Sequence, residues 1–202
     1  MRKRGHEAFS CDILPQSGGY PEWHLQRPLE EVINDNWDMI IAFPPCNYLC
    51  SSGLHWNKRR PERKEKTEEA LRFVCMILNS NCPKIALENS IGCISTRIEL
   101  INGVYIVNEY SNTKSAIKPD QIIQPYQFGH DASKATCLYL KGLPHLKIDE
   151  SLFIPPRIVN GKRRWGNQTD SGQNKLTPSA DRGIIRSKTY KGIAVAMAEQ
   201  WG

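Results

Sequence analysis

Residues 37–50, WDMIIAFPPCNYLC, constrain this chain more than any other stretch. Met39, Ile40, Ile41, Ala42 and Phe43 form an apolar run with no polar alternation, the pattern of a strand covered on both faces in a parallel sheet. Pro44 and Pro45 end that strand, because proline cannot donate to a ladder and fixes the backbone that follows. Cys46 is thereby presented at the carboxyl end of a buried strand, where open α/β sheets place their ligands. The position suits a nucleophile, and it also suits a structural cysteine packed at a strand end.

A chain of 202 residues is expected to form one domain, 1–202, with a sizeable core. No apolar run approaches the ~20 residues of a membrane span, so no membrane association is expected. The opening MRKRGHE is basic with no apolar segment behind it, which is not the pattern of a signal peptide. Seven cysteines spread through such a chain read as reduced thiols in a cytoplasmic protein. Cys46 and Cys50 lack a second ligand pair at zinc-site spacing, so no metal is expected. A net charge of +6 leans towards a polyanionic partner.

Along the chain, residues 7–14 (EAFSCDIL) read as a strand with Asp12 at its end, placed either to accept from ribose hydroxyls or to cap the next loop. Pro28 with LEEVIND predicts a short helix. Ser51, Ser52, His55 and Trp56 follow Cys46 in a polar setting. The run 57–66 carries six Lys or Arg in ten residues, among them Lys58, Arg59 and Arg60. Such a run is either a solvated face or a phosphate-contacting loop. Residues 67–79 have the spacing of a helix packed on the sheet. Residues 84–88 (KIALE) read as a second buried strand, completing a βαβ unit that brings Glu88 to the same sheet edge as Cys46. Burial there raises the pKa of a carboxyl and suits it to donate a proton.

Arg97 falls in a loop, and 98–117 read as a surface hairpin insertion turning at Asn102-Gly103. Residues 118–134 read as a loop holding His130 and Lys134, and 135–141 as a further strand. Between 149 and 182 periodicity disappears, and the segment is expected to be irregular. Its Arg163, Arg164 and Trp165 combine charge with a stacking face suited to unpaired bases. Residues 190–201 close the chain as a helix.

Several of these pieces resemble the DNA cytosine-5 methyltransferases, and more closely the short bacteriophage-type members. PPC at 44–46 is similar to the family's Pro-Cys motif, and ALENS at 86–90 to its Glu-Asn motif. RGHEAFSCD at 4–12 resembles the second strand of the cofactor domain. RSKTYKGIAVAMAEQWG resembles its closing helix, and QPYQFGH with KATCLYLKGLP the phage-type subset. The resemblance implies an α/β, Rossmann-like three-layer sandwich with a mostly parallel sheet, here lacking the family's first strand and glycine-rich turn. It implies S-adenosylmethionine as cofactor, with Asp12, Pro44 and Asn89 at its site. It further implies Cys46 attacking carbon 6 of cytosine, Glu88 engaging ring nitrogen 3, and Arg97 steadying the base or Glu88. DNA is the implied partner and the host cytoplasm the implied location, and the missing strand implies one of three arrangements: a truncated start, residues 7–14 in the central position, or a second copy or partner chain completing the sheet. A base or nucleotide enzyme such as a glycosidase, needing no S-adenosylmethionine, and a non-catalytic DNA- or protein-binding remnant are the alternatives.

Overall fold

The computed structural model describes residues 1–16, 18–109, 115–177, 179 and 182–202. In chain order its elements are β1 (Ser10–Asp12), β2 (His24–Gln26), β3 (Ile40–Ala42), α1 (Cys46–Leu49), α2 (Ser51–Leu54), α3 (Pro61–Leu78), β4 (Ile85–Ser90), α4 (Ile94–Arg97), β5 (Ile98–Ile101), β6 (Val104–Val107), β7 (Gln121–Ile123), β8 (Thr136–Lys141), β9 (Arg157–Val159), β10 (Lys162–Arg164), α5 (Arg182–Ser187) and α6 (Lys191–Gln200). Among the described residues, no helix is long and apolar enough to cross a membrane.

The protein is mixed α/β, built on a four-stranded sheet in the order β3-β4-β8-β7. β3 and β4 are parallel, with Ile40 opposite Ile85 and Ala42 opposite Leu87. β8 runs antiparallel to β4 and β7 antiparallel to β8. The expected mostly parallel sheet is therefore corrected: one of three pairings in this sheet is parallel. The reason lies in residues 118–134, which the sequence presents as loop. They contain β7 and a 3-10 turn (Pro125–Phe128), and the chain returns from β7 into the antiparallel β8 with no crossover α-helix between them.

Period-two alternation along β4 sorts the core onto two faces. Ile85 and Leu87 pack with Leu71, Val74, Ile77 and Leu78 of α3, together with Leu49, Ile94 and Ile98. Ala86 and Leu138 pack on the other side with Ile193, Met197 and Trp201, from α6 and its end, and with Ile123 and Phe128. Both faces are thus covered, which is why β4 reads as a continuous apolar run. Gly192 at the start of α6 is where the helix meets the 125–128 turn. A Cβ there would lie 1.9 Å from the Phe128 carbonyl oxygen, so only glycine allows this approach.

The remaining strands form two-stranded units. β1 pairs in parallel with β2, a strand the sequence did not reveal, and all three β1 residues are exposed. The expected strand over 7–14 is thus cut to three residues, and the expected helix at 28–35 to a single 3-10 turn (Leu29–Glu31) that buries Val32 and Ile33 just beyond it. β5 and β6 form the expected hairpin across Asn102-Gly103, and residues 110–114 lie outside the described residues. The base of this hairpin enters the core, with Ile98 fully buried. The irregular reading of 149–182 is also corrected. β9 and β10 pair across Asn160-Gly161, both at positive φ (50° and 71°), a two-residue hairpin turn. The basic run 57–66 is helical in its second half, since α3 begins at Pro61.

Candidate active site

The carboxyl ends of β3 and β4 lie side by side because the two strands are parallel. Leaving β3, the chain passes through Pro44 and Pro45 and enters α1, of which Cys46 is the first residue. Two ties hold this turn against β4. Asn89, buried within β4, donates from Nδ2 to the Pro44 carbonyl at 3.1 Å. Beyond β4, Ser51 N donates to Ile91 O and Cys93 N to Leu49 O, at 3.0 and 2.9 Å, so residues 91–93 clasp α1 from below. Gly92 makes that clasp possible, since a Cβ there would sit 1.9 Å from the Leu49 carbonyl oxygen. From the other side Arg63 of α3 donates to the carbonyls of Gly53 and Asn47, and the buried Thr67 hydroxyl contacts Tyr48 O.

Cys46 is half-buried in this frame. Burial pushes its thiol up. The Lys134 charge opposes that, Cys50 and Glu88 add to it, and Arg186 opposes it again. Glu88 is also half-buried, and burial raises its carboxyl above the usual carboxylate range against the pull of Lys134 and the Thr136 hydroxyl. Alternation puts Glu88 on the same face of the sheet as Ala86, the face that α6 covers. Thr136 begins the neighbouring strand β8, opposite Ser90, and Lys134 lies two residues before it. The site therefore joins a thiol, a carboxyl held towards its protonated form, and an ammonium.

Of the residues singled out in the sequence, Asn89 is bonded to the Pro44 carbonyl, and the strand register brings Cys46, Glu88 and the loop of Lys134 to the same edge of the sheet. Arg97 does not join them. Its Nη2 donates to both Glu68 oxygens at 2.8 Å and its Nε to the Asn108 carbonyl, fastening the β5–β6 hairpin to α3. Trp165 is 8 % exposed. Tyr126 stacks on its ring at 4.1 Å and its indole N–H donates to the Ile154 carbonyl, so its face is not free for a base. Arg164 is bound to the carbonyls of Arg163, Asp170 and Ser171 in its own loop, whereas Arg163 is exposed. His130 accepts from the Gly192 amide at 2.8 Å and packs edge-on to Tyr190, which makes it a bracket for α6.

Ser51, Ser52, His55, Trp56, Lys58, Arg59 and Arg60 remain exposed on the segment that follows Cys46. The guanidiniums of Arg59 and Arg60 lie 5.8 and 5.2 Å from the Trp56 ring centre, a basic and aromatic surface. Asp12 accepts from Leu14 N at 2.9 Å, capping its own turn. It also lines a cleft of about 560 Å³ with Phe9, Tyr20, Trp23 and Arg2. Sequence reasoning missed Arg63, Thr67, Gln124 and Asn167. Each acts through side-chain bonds to backbone distant in sequence, which leaves no local pattern. No family model matches this chain, and comparison with curated proteins and with solved structures returns no match.

Proposed function

We propose that this chain modifies bases in nucleic acid, by chemistry like that of the DNA cytosine-5 methyltransferases, with Cys46 as nucleophile and Glu88 as acid. The observation that carries the reading is the meeting of Cys46 with a carboxyl raised by burial at adjacent parallel strand ends. Carbon 5 of cytosine is a poor nucleophile until something adds at carbon 6. On this reading the Cys46 sulfur, its proton released to solvent, adds as a thiolate to carbon 6; the pair joining carbons 5 and 6 moves to join carbons 4 and 5, and the pair joining carbon 4 to nitrogen 3 moves onto that nitrogen. Glu88 gives its proton to ring nitrogen 3, which relieves the negative charge building on the ring. A base in a duplex leaves the stack to reach such a pocket. The exposed Trp56, Lys58, Arg59 and Arg60 supply a charged and stacking surface for the strand that carries it.

The residues that would hold the nucleoside half of S-adenosylmethionine are Asp12 and Asn89. Asp12 offers a carboxylate oxygen for ribose hydroxyls beside the aromatic walls of the 560 Å³ cleft. Asn89 Oδ1 is a buried acceptor without a partner among the described residues. When bound, the cofactor supplies an electrophilic methyl group. The fold reading that goes with this is a Rossmann-like, three-layer methyltransferase-like sandwich, supported by the coverage of both sheet faces. A strand from a second copy or partner chain would complete the sheet at the open edge of β3.

The test is trapping with DNA that carries 5-fluorocytosine at every cytosine, with and without S-adenosylmethionine. A covalent complex on a denaturing gel, mapped to Cys46 by mass spectrometry and absent in Cys46→Ser, is the expected result. A complex that forms equally without the cofactor would favour the methyl-donor-free alternative. Absence of any complex, or one mapped to another cysteine, overturns the reading.

A further inference from the structure

Residues 157–164 (RIVNGKRR) carry four cations and no acid, and the β9–β10 ribbon divides those cations in two. At its foot, Arg157 donates to Asp170 and to the Gln168 carbonyl, and Arg164 donates to the carbonyls of Arg163, Asp170 and Ser171. Towards the Asn160-Gly161 turn, Lys162 and Arg163 are exposed, and among the described residues neither side chain has a hydrogen bond or an ion pair. Ile158 stands directly across the ribbon from Arg163 and is 64 % exposed. An aliphatic side chain left that open adds little to folding. The foot is fastened at several points to the loop between β7 and β8. Trp165 stacks on Tyr126, the Gly166 amide donates to Asp131 Oδ1 at 2.6 Å, and Asn167 holds Ser133 by both backbone groups, at 2.9 and 3.0 Å. That loop leaves β7 after Ile123 and enters β8 at Thr136, which pairs with Ser90 at the carboxyl end of β4. The ribbon is thus mounted at the sheet edge where β3 and β4 end. In the strand order, β4 with Glu88 lies between β3, whose outgoing chain carries Trp56, Lys58, Arg59 and Arg60, and β8, whose incoming loop carries the ribbon.

We infer that the β9–β10 ribbon is a contact for duplex DNA beside the reacting base, with Lys162 and Arg163 on phosphates and Ile158 against the bases. This role rests on the reading of the chain as a base-modifying enzyme and names the part that holds the duplex. A two-stranded ribbon has the width that a major groove admits. Lys162 and Arg163 are adjacent in β10, so they project from opposite faces of the ribbon and reach towards opposite walls of a groove. Ile158, beside Arg163, offers the apolar contact that a thymine methyl takes. The division of the cations separates this ribbon from a solvated basic run. Those at the foot are satisfied by the protein, and the two left over sit next to an aliphatic that the core does not use. With the Trp56 surface on the β3 side and the ribbon on the β8 side, a duplex whose base has left the stack is gripped on both sides of the Cys46–Glu88 edge.

The experiment titrates the full chain into a fluorescently labelled DNA duplex and follows anisotropy at a series of salt concentrations. Lys162→Thr/Arg163→Thr is expected to bind about tenfold more weakly, and the slope of log affinity against log salt to shrink by about two, one for each lost phosphate contact. Ile158→Thr keeps the branched β-carbon and is expected to weaken binding about threefold with the slope unchanged, because an apolar contact releases no counterions. In the wild type, saturating duplex protects Lys162 from acetylation by an N-hydroxysuccinimide ester, read by mass spectrometry. If the double variant is folded, by circular dichroism, and binds with wild-type affinity and slope, the inference is overturned. Equal acetylation of wild-type Lys162 with and without duplex overturns it whether or not the variants fold. So does binding of polyglutamate that needs Lys162 and Arg163 while DNA binding does not, in favour of an acidic protein partner. The two readings fail separately. Ribbon-dependent DNA binding without a 5-fluorocytosine adduct keeps the ribbon's role and removes the base chemistry, whereas an adduct with ribbon-independent binding does the reverse.

Discussion

Replacing Arg97 by methionine separates a structural arginine from a catalytic one. Arg97 donates twice to Glu68 at 2.8 Å and once to the Asn108 carbonyl, and the paired side chains are 17 % and 24 % exposed. A fully exposed pair contributes about 0.2–1 kcal/mol, and breaking a fully buried one costs about 3–5 kcal/mol because the surviving charge is stranded. With most of both side chains covered, the cost for Arg97→Met lies between these ranges, at about 2 kcal/mol. For a chain of 202 residues, each kcal/mol moves Tm by about 2–4 °C, so the expected fall is about 4–8 °C. Much of the loss is the stranded Glu68 carboxylate, so Arg97→Met/Glu68→Met recovers a good part of it. Thermal melts by circular dichroism read the stability, and the 5-fluorocytosine adduct per mole of folded protein reads the chemistry. The adduct yield is expected to stay unchanged below the melting range. A variant that melts within about 1 °C of the wild type, or one that is folded but forms no adduct, would refute the assignment of Arg97 to the hairpin.

Glu88→Gln should stabilise the protein at neutral pH while abolishing adduct formation. The folded-state pKa of Glu88 is raised by burial. Between the ordinary carboxyl value and that raised value the unfolded chain has released a proton that the folded chain retains, so folding stability falls as pH rises through this window and the penalty is constant above it. Urea titrations of both proteins across this window should therefore diverge as pH rises, and parallel curves would remove the buried-acid argument. Trp165→Ala is expected to cost about 3–5 kcal/mol, because the ring is stacked on Tyr126 and bonded to Ile154. DNA binding by the folded fraction, read by fluorescence anisotropy, should be retained. A loss of affinity with unchanged stability would return Trp165 to the nucleic-acid surface.

Much of the centre of the fold was legible because local patterns and tertiary demands coincide there. The apolar stripe of α3 and the apolar run of β4 need burial to make sense, and both are buried, whereas the apolar run of β3 belongs to an edge strand and is only half-buried, with Phe43 exposed. The edges were less legible. β2 and β7 are three residues each, and three residues show no period. β9 and β10 carried a readable Asn-Gly turn, but the charge around it masked two short strands. The basic run before α3 offered no stripe of its own, and Pro61 was the sign that a helix starts there.

By itself the sequence determined that a cysteine follows one strand and a glutamate lies near the carboxyl end of the next, since strand length, proline and apolar continuity are local properties. Only the tertiary structure decided which charges meet them. Arg97 stands a few residues beyond Glu88 and yet turns to α3, because Glu68 and the Asn108 carbonyl satisfy its donors there. Lys134 lies far along the chain and yet faces the pair, because β8 runs back along β4 and ends its preceding loop at the same sheet edge. A charge acts through space, and distance in space is set by strand order and direction, which residue spacing does not encode.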